Sequence, residues 1–417
     1  MMKSSGSTLF LRWFAISVVI GIVMALALAV VVDPYNQYHI VIKEGFNLVK
    51  PELTRYQSEI KVGRAAELRA DALILGNSRA EAGLDPESPV FAQSRLSAYN
   101  LAVPGTGILN ARKQAEYLYQ AGVRPKIIIL GVEFLDFMEA ESPRPAVNVG
   151  THFINQGPLS ASWFWRLDSL FSLATLKDAI RTLFIQRDEE ADVTTSKGFN
   201  PLRGYEPIAR REGYFTLFQQ RAQENTRTYL RKAKGSLSLA DLIHLKAILD
   251  LAAESGTDLN LIIYPYHAQI LALFEETGLA NAFEEWKAAV TREVSAARQR
   301  HPGAQIALFD FSGYGSYNCE RIPDKGDRAT STRWYWEAGH FKKQLGDILL
   351  ESIFSRSLLT EMAKGSRSSA IFGFQLDDSN SAGNLKRINH ERTECKQSYP
   401  ELFTDAAALV EFERSRD

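Results

Sequence analysis

A serine hydroxyl attacks a carbonyl efficiently only when a base within hydrogen-bond reach takes its proton. That base is usually a histidine oriented by a carboxylate. One serine in this chain stands where such chemistry collects. The run Asp71-Ala72-Leu73-Ile74-Leu75 stops at Gly76-Asn77-Ser78-Arg79. Its apolar part reads as a short buried strand, and loops at the carboxyl ends of such strands gather ligands and catalytic groups in open α/β sheets. Of the seven histidines, His340 suits the base best, because Glu337 lies three residues before it and a turn can bring that carboxylate to the ring. An acid-x-x-His also arises by chance, as a surface glutamate and a histidine opening a helix. Asp136 and Asp310, each after a predicted strand, are alternative orienting acids, although capping or turn roles are the more common use of an aspartate in such places. No zinc, calcium or phosphate-loop motif is present, so the expected metal and cofactor content is none.

These residues need a framework. Ala98–Ala102 reads as a second strand, ending in the turn Val103-Pro104-Gly105-Thr106-Gly107. An amphipathic helix follows over Leu109–Ala121, then a third strand over Pro125–Gly131, leading into Val132-Glu133-Phe134-Leu135-Asp136-Phe137. Asp258–Pro265 and Gln305–Phe311 read as further strands, Leu279–Arg300 as a helix with Trp286 on its apolar side, and 342–354 as a helix entered just after His340. Strands alternating with helices predict an α/β protein with a mostly parallel, doubly wound sheet. The rhythm breaks between about 140 and 255. Pro143 and Pro145 open a loop there, and helices are predicted near 162–186, 213–234 and 237–255, an insertion able to cover the site. The tail from about 365 is polar and weakly patterned.

The order of these pieces resembles the SGNH, or GDSL-like, hydrolase superfamily. Gly76-Asn77-Ser78 matches its first block, Gly105 its second, and Glu337-x-x-His340 its last, over about residues 71–350 without the insertion. The resemblance implies a three-layer α/β/α domain with Ser78 as nucleophile, His340 as base and Glu337 as orienting acid. It implies an oxyanion hole from Gly105 and the Ser78 amide, with Asn77 or Arg79 assisting. There are two departures. The third block reads Gly131-Val132-Glu133-Phe134, with a carboxylate where an asparagine donor is usual, and a carboxylate repels a developing oxyanion unless protonated or turned away. The last block has Glu where Asp is usual. LILGNSRAEAGLDP, YNLAVPG and E-x-G-H-F are similar to the branch that contains the alginate O-acetylation proteins and the wall D-alanyl transfer proteins. That branch implies a serine acyl-enzyme, transfer of a small acyl group to a cell-surface polysaccharide, and a membrane protein delivering the acyl group. Two readings stand beside it: an esterase releasing acyl groups to water, and a non-catalytic scaffold or glycan-binding subunit of an envelope polysaccharide machine, which Glu133 and Glu337 keep open.

The 417 residues suffice for one large α/β domain with insertions or for two domains. With 48 basic and 49 acidic residues the net charge is −1, and no basic face argues for nucleic acid. Trp13 to Val32 runs 20 residues without a charge, long enough to span a bilayer. Lys3 and Arg12 precede it and Asp33 follows, which places residues 1–12 in the cytoplasm and the rest outside. The expectation is a single-pass signal anchor at 13–32 in the inner (plasma) membrane, a juxtamembrane segment over 33–70, a periplasmic or extracellular domain over 71–354 and a tail over 355–417. A cleaved signal peptide is the alternative. Tyr35, Tyr38 and His39 suit the bilayer interface. Cys319 and Cys395 can pair in an oxidising compartment or stay as two thiols. Three residues are candidate substrate contacts, each with a structural alternative: Arg79 as an ion-pair partner, His267 as a helix cap, and Trp336, beside Trp334 and Tyr335, as core.

Overall fold

The computed structural model describes residues 5–139, 169–362 and 372–416. They fall into two compact units, divided between Ile60 and Lys61 and between Val193 and Thr194. The loop at Pro143 and Pro145 and the start of the predicted 162–186 helix lie outside the described residues. The predicted insertion is not one body: residues 169–193 belong to the smaller unit, whereas 194–255 belong to the larger.

The smaller unit begins with the helix Ser5–Val32. Its stretch Ser7–Val32 has a mean hydropathy of 3.0 and is long and apolar enough to cross a membrane, as an anchor or a signal sequence does. Leu9, Phe10, Trp13 and Met24 are exposed along it. The last carbonyls of this helix find a cation, as unsatisfied C-terminal carbonyls favour. Lys50 Nζ donates to the carbonyls of Val32 at 3.1 Å and Asp33 at 2.5 Å. Burial lowers the Lys50 ammonium to about 8, against the opposing pull of Asp33. The Asp33 carboxylate accepts the amides of Gln37, Tyr38 and His39 at 2.7–2.9 Å and so closes the turn after the helix. Tyr35, expected at the bilayer interface, is buried instead. Its hydroxyl donates at 2.8 Å to Asp178, on the helix Leu173–Phe184, and Arg55 pairs with the same carboxylate at 3.0 Å.

The larger unit carries the sheet. Its strands are β1 (Ala72–Leu75), β2 (Ala98–Asn100), β3 (Ile127–Val132), β4 (Asp258–Ile263), β5 (Ile306–Asp310) and β8 (Phe374–Gln375), in the order β2-β1-β3-β4-β5-β8. The first five are parallel, and β8 joins β5 antiparallel. The expected α/β class with a mostly parallel sheet is therefore what the chain adopts. Strands covered on both faces are apolar throughout rather than alternating; Ile74, Ile129, Leu130, Leu261 and Ile262 have no exposed surface. From β1 the chain goes to β2 on one side, then returns to place β3 on the other. That reversal opens a crevice at the carboxyl ends of β1 and β3, the preferred ligand position in such sheets. Gly76 leaves β1 at this point with φ +147°, and a Cβ there would lie 2.3 Å from the Tyr264 hydroxyl, so only glycine fits. A two-stranded hairpin, β6 (Tyr335–Glu337) with β7 (His340–Phe341), stands apart from the main sheet.

The tail folds more than its sequence suggests. The helix predicted to end at 354 runs over Lys343–Met362, and the helices Ser381–Ser398 and Pro400–Arg414 follow β8. Leu402, Phe403, Ala406, Leu409 and Val410 recur along one face of the last helix and are buried. The helix before it buries only Asn384, Ile388 and Cys395, too few positions to stand out as a pattern. Cys319 and Cys395 are joined in a disulfide with Cα atoms 5.9 Å apart, fastening this helix to the loop after β5. The bridge spans 76 residues, a closure whose chain-entropy effect has a ceiling of about 4.5 kcal/mol. Reduction is therefore expected to lower the denaturant midpoint of the full chain. An unchanged midpoint, with both thiols shown free by mass, would contradict this.

Candidate active site

The helix Ser78–Gly83 opens immediately after the β1 turn, with Asn77 as its cap: Asn77 Oδ1 accepts the Arg79 amide at 3.1 Å. Four contacts fix this short helix. A Cβ on Gly83 would fall 2.0 Å from the Phe341 ring, and one on Gly346 would fall 1.7 Å from the Gly83 carbonyl. The bare glycines thus let β7 and the following helix press against it. From another side, Lys61 Nζ reaches Glu81 at 2.7 Å, both side chains being buried, and donates to the carbonyls of Ala102 and Gly198 at 2.6 and 2.8 Å. The Asn100 amide donates to the carbonyls of Ala80 and Leu84, both at 2.8 Å. Removing one member of a buried pair such as Lys61–Glu81 leaves an uncompensated charge and costs about 3–5 kcal/mol.

Ser78, His340 and Glu337 come together. His340 Nε2 lies 2.9 Å from Ser78 Oγ, and its Nδ1 contacts Glu337 Oε1. The spacing of three has a different origin from the expected loop-to-helix junction. Glu337 and His340 are cross-strand partners in the β6–β7 hairpin, joined through Ala338 and Gly339. With Phe341 turned into the packing against Gly83, strand alternation leaves His340 facing the serine. The Glu337 carboxylate is 2% exposed. Its Oε2 accepts the Gly339 amide at 2.6 Å and meets Arg221 Nε at 3.1 Å. Burial pushes its pKa up, but His340, Arg221 and the Gly339 amide outweigh that and hold it at about 2. An ionised partner on Nδ1 keeps the proton on that nitrogen and leaves Nε2 free to accept from Ser78. Arg221 comes from the helix Tyr214–Lys232, more than a hundred residues from Glu337. No local pattern in the sequence marks it. Tyr205, its hydroxyl 3.5 Å from Arg221, sets its ring 6.5 Å from the His340 ring.

The other candidates separate. Glu133 pairs with Arg79 and accepts the Tyr266 hydroxyl at 3.0 Å. The Arg79 guanidinium lies over the rings of Tyr266 and Tyr264, at 5.1 and 5.9 Å. Arg79 is thus a structural partner rather than a spare substrate contact, and Glu133 is neutralised where it faced the site. The polar groups of Asn77 are occupied: its Oδ1 serves the cap, its side chain bonds Asp136, and its amide meets the Tyr264 hydroxyl at 3.4 Å. Asp136 does not orient His340, whose Nδ1 is held by Glu337. Burial pushes the Asp136 carboxyl up to about 7, against the pull of Arg79 and Lys232. Asp310 is also occupied elsewhere, by Lys287 at 3.3 Å and the Asn384 amide at 2.7 Å. His267 has no exposed surface and caps the helix Ala268–Thr277, Nδ1 accepting the Gln269 amide at 3.1 Å and Nε2 donating to the Glu320 carbonyl at 2.8 Å. Burial lowers its pKa to about 4, so it stays neutral and structural. Gly105 is exposed at φ +69° in the turn after β2. That turn is tied to the Gly76-Asn77-Ser78 turn by the Val103 amide on the Gly76 carbonyl at 3.0 Å. The Ser78 amide, first in its helix, has no acceptor within the helix. Trp336 is half-buried beside Tyr205, 6.0 Å between ring centres.

Glu337 is ionised far below its ordinary range, so it stabilises the fold above a pH near 4.5, and that contribution is lost as pH falls toward 2. Arg221→Met removes one of the groups that depress it. The folded carboxyl then titrates higher, the contribution shrinks, and acid unfolding followed by circular dichroism is expected to move to higher pH; an unshifted acid limb would contradict the pairing. Neither models of known protein families nor curated proteins match this chain.

Proposed function

We propose that this chain is a membrane-anchored serine acyltransferase that modifies a cell-surface polysaccharide through an acyl-enzyme on Ser78. The observation that carries the reading is the unbroken set Ser78 Oγ, His340 and buried Glu337. His340 Nε2 takes the Ser78 proton as Oγ bonds to the acyl carbon of the donor. The carbonyl electrons move onto oxygen, facing the amides of Ser78 and Gly105, and Glu337 stabilises the imidazolium. Collapse breaks the bond to the donor's leaving group, which receives the proton from His340. A glycan hydroxyl then enters, gives its proton to His340 and attacks the Ser78 ester. When that intermediate collapses, the proton returns to Ser78 Oγ and the glycan leaves as its ester.

The three-layer SGNH-like arrangement and the extracytoplasmic placement belong to the same proposal. The helix Ser5–Val32, with Lys3 and Arg12 at its amino-terminal side, supports an anchor with the catalytic unit outside. The disulfide supports an oxidising compartment. The membrane placement also suits an acyl donor delivered by a membrane protein. In full-length protein, a fluorophosphonate probe is expected to label Ser78, Ser78→Ala to abolish labelling and acyl turnover, and Glu337→Gln to slow labelling on the order of 10³–10⁴-fold. Turnover of an activated acetyl ester that survives Ser78→Ala would sink the proposal.

A further inference from the structure

The helix Leu173–Phe184 is built inside out. At 3.6 residues per turn, Thr175, Asp178, Ala179 and Thr182 share one side, and that largely polar side is buried. Leu173, Ile180, Leu183 and Phe184 share the opposite side, within an arc of about 100°. All four are exposed, Leu173 to 85% and Phe184 to 82%. A helix on a water-facing body turns its apolar stripe inward. Here the polar side is the one that is held. Asp178 takes the Tyr35 hydroxyl and the Arg55 guanidinium, and Gln186, just past the helix, exchanges two hydrogen bonds with the Val49 backbone at 3.1 and 2.8 Å. The smaller unit therefore fixes the roll of this helix and leaves its apolar stripe outward.

What meets that stripe follows from its neighbour. The helix packs against Ser5–Val32, the candidate span. The 20 charge-free residues Trp13–Val32 measure about 30 Å, the thickness of a bilayer's hydrocarbon core. Yet the last turn of that span is enclosed: Ala29 and Val32 are buried, and Asn47 and Lys50 donate to the Val32 carbonyl at 3.2 and 3.1 Å. The Asn47 amide also reaches the Val41 carbonyl at 2.6 Å, and Ile40 and Ile42 on either side of Val41 are exposed. Residues that enclose the last turn of a span stand at the depth where it leaves the lipid, so an apolar surface there faces acyl chains. Lys177 and Arg181 run along one edge of the stripe, where long stems keep their charges among the headgroups. The acidic run Asp188-Glu189-Glu190 follows, so buried apolar area rather than attraction to anionic lipid drives the contact.

We infer that the helix Leu173–Phe184 is a second membrane contact, lying in the plane of the bilayer interface with Leu173, Ile180, Leu183 and Phe184 among the acyl chains. The inference rests on the anchored placement under the proposed function and is independent of the chemistry at Ser78. A lone span leaves its tilt and rotation to its surroundings, and a contact beside its exit sets both for the unit that carries it. The test uses full-length protein in phosphatidylcholine vesicles. Cys319 and Cys395 are tied in their disulfide, so a single introduced thiol takes a nitrobenzoxadiazole fluorophore. Leu173→Cys, Phe184→Cys and, within the span, the exposed position Ile20→Cys are labelled in turn. Nitroxide-bearing phosphatidylcholine quenches a probe in lipid, and iodide one in water. Both helix probes are expected to be quenched by the nitroxide lipid as strongly as the span probe and to resist iodide. Leu173→Asp with Ile180→Asp should abolish lipid quenching of the Phe184→Cys probe, with an unchanged melting temperature in detergent showing that the variant is folded. Iodide quenching in place of lipid quenching at either helix position overturns the inference. So does shielding from both quenchers, which marks a protein cover instead of lipid, and so does lipid quenching that survives the two aspartates. A span probe that lipid does not quench overturns the anchored placement alone if the helix probes are still quenched, and both readings if they are not.

Discussion

A carboxylate cannot be buried alone, and the arrangement around Ser78 depends on how Glu337 is kept ionised. Desolvation penalises its charge, and only nearby donors and cations reverse that. Three come from different levels of structure: His340 across a hairpin, the Gly339 amide inside the turn, and Arg221 from a helix far away in sequence. The hairpin alone would bring acid and imidazole together. It is the helix Tyr214–Lys232, arriving from the segment that interrupts the sheet, that makes an ionised Glu337 tolerable at 2% exposure. The interruption in the β–α rhythm therefore completes the site rather than merely lying over it.

Ser78, the proposed nucleophile, faces a matching constraint. Ser78 must be exposed on a rigid support, yet its helix is only six residues long and gains little from helix propagation. Its position is set from outside, by the glycine contacts with Phe341, by Asn100 on its carbonyls and by the buried Lys61–Glu81 pair. The contact between Gly83 and Phe341 is the one that couples the two halves of the site, because Phe341 adjoins His340 on β7. A Cβ on Gly83 would push β7 away and lengthen the distance from Ser78 to His340.

Glu133 shows how a departure from an expected pattern is absorbed. A carboxylate at the end of β3 would oppose a developing oxyanion, but Arg79 neutralises it and Tyr266 hydrogen-bonds it. Arg79 is held beside Ser78 in sequence and beside Glu133 in space because β1 and β3 are adjacent and parallel. Asn77 and Asp136 fill the neighbouring positions with a second such pairing. The local result is a loop around Ser78 built on polar groups that satisfy one another.

Much of this was readable along the chain. Continuous apolar runs bounded by glycine and proline identify β1, β3, β4 and β5, because strands buried on both faces have no reason to alternate. The charge-free stretch before Asp33 marks a helix able to cross a bilayer, and the Gly76-Asn77-Ser78 turn and Glu337-x-x-His340, each weak alone, stand out through their order along the chain and their places at strand ends. What sequence could not reach depends on distance in space. Arg221 on Glu337 and Glu133 as the partner of Arg79 each join residues whose neighbours say nothing of one another. The tail helix Ser381–Ser398 was invisible because so few of its side chains are buried. Period and composition report which face of an element meets a core; which charge meets which is decided only when the sheet order and the helices around it are in place.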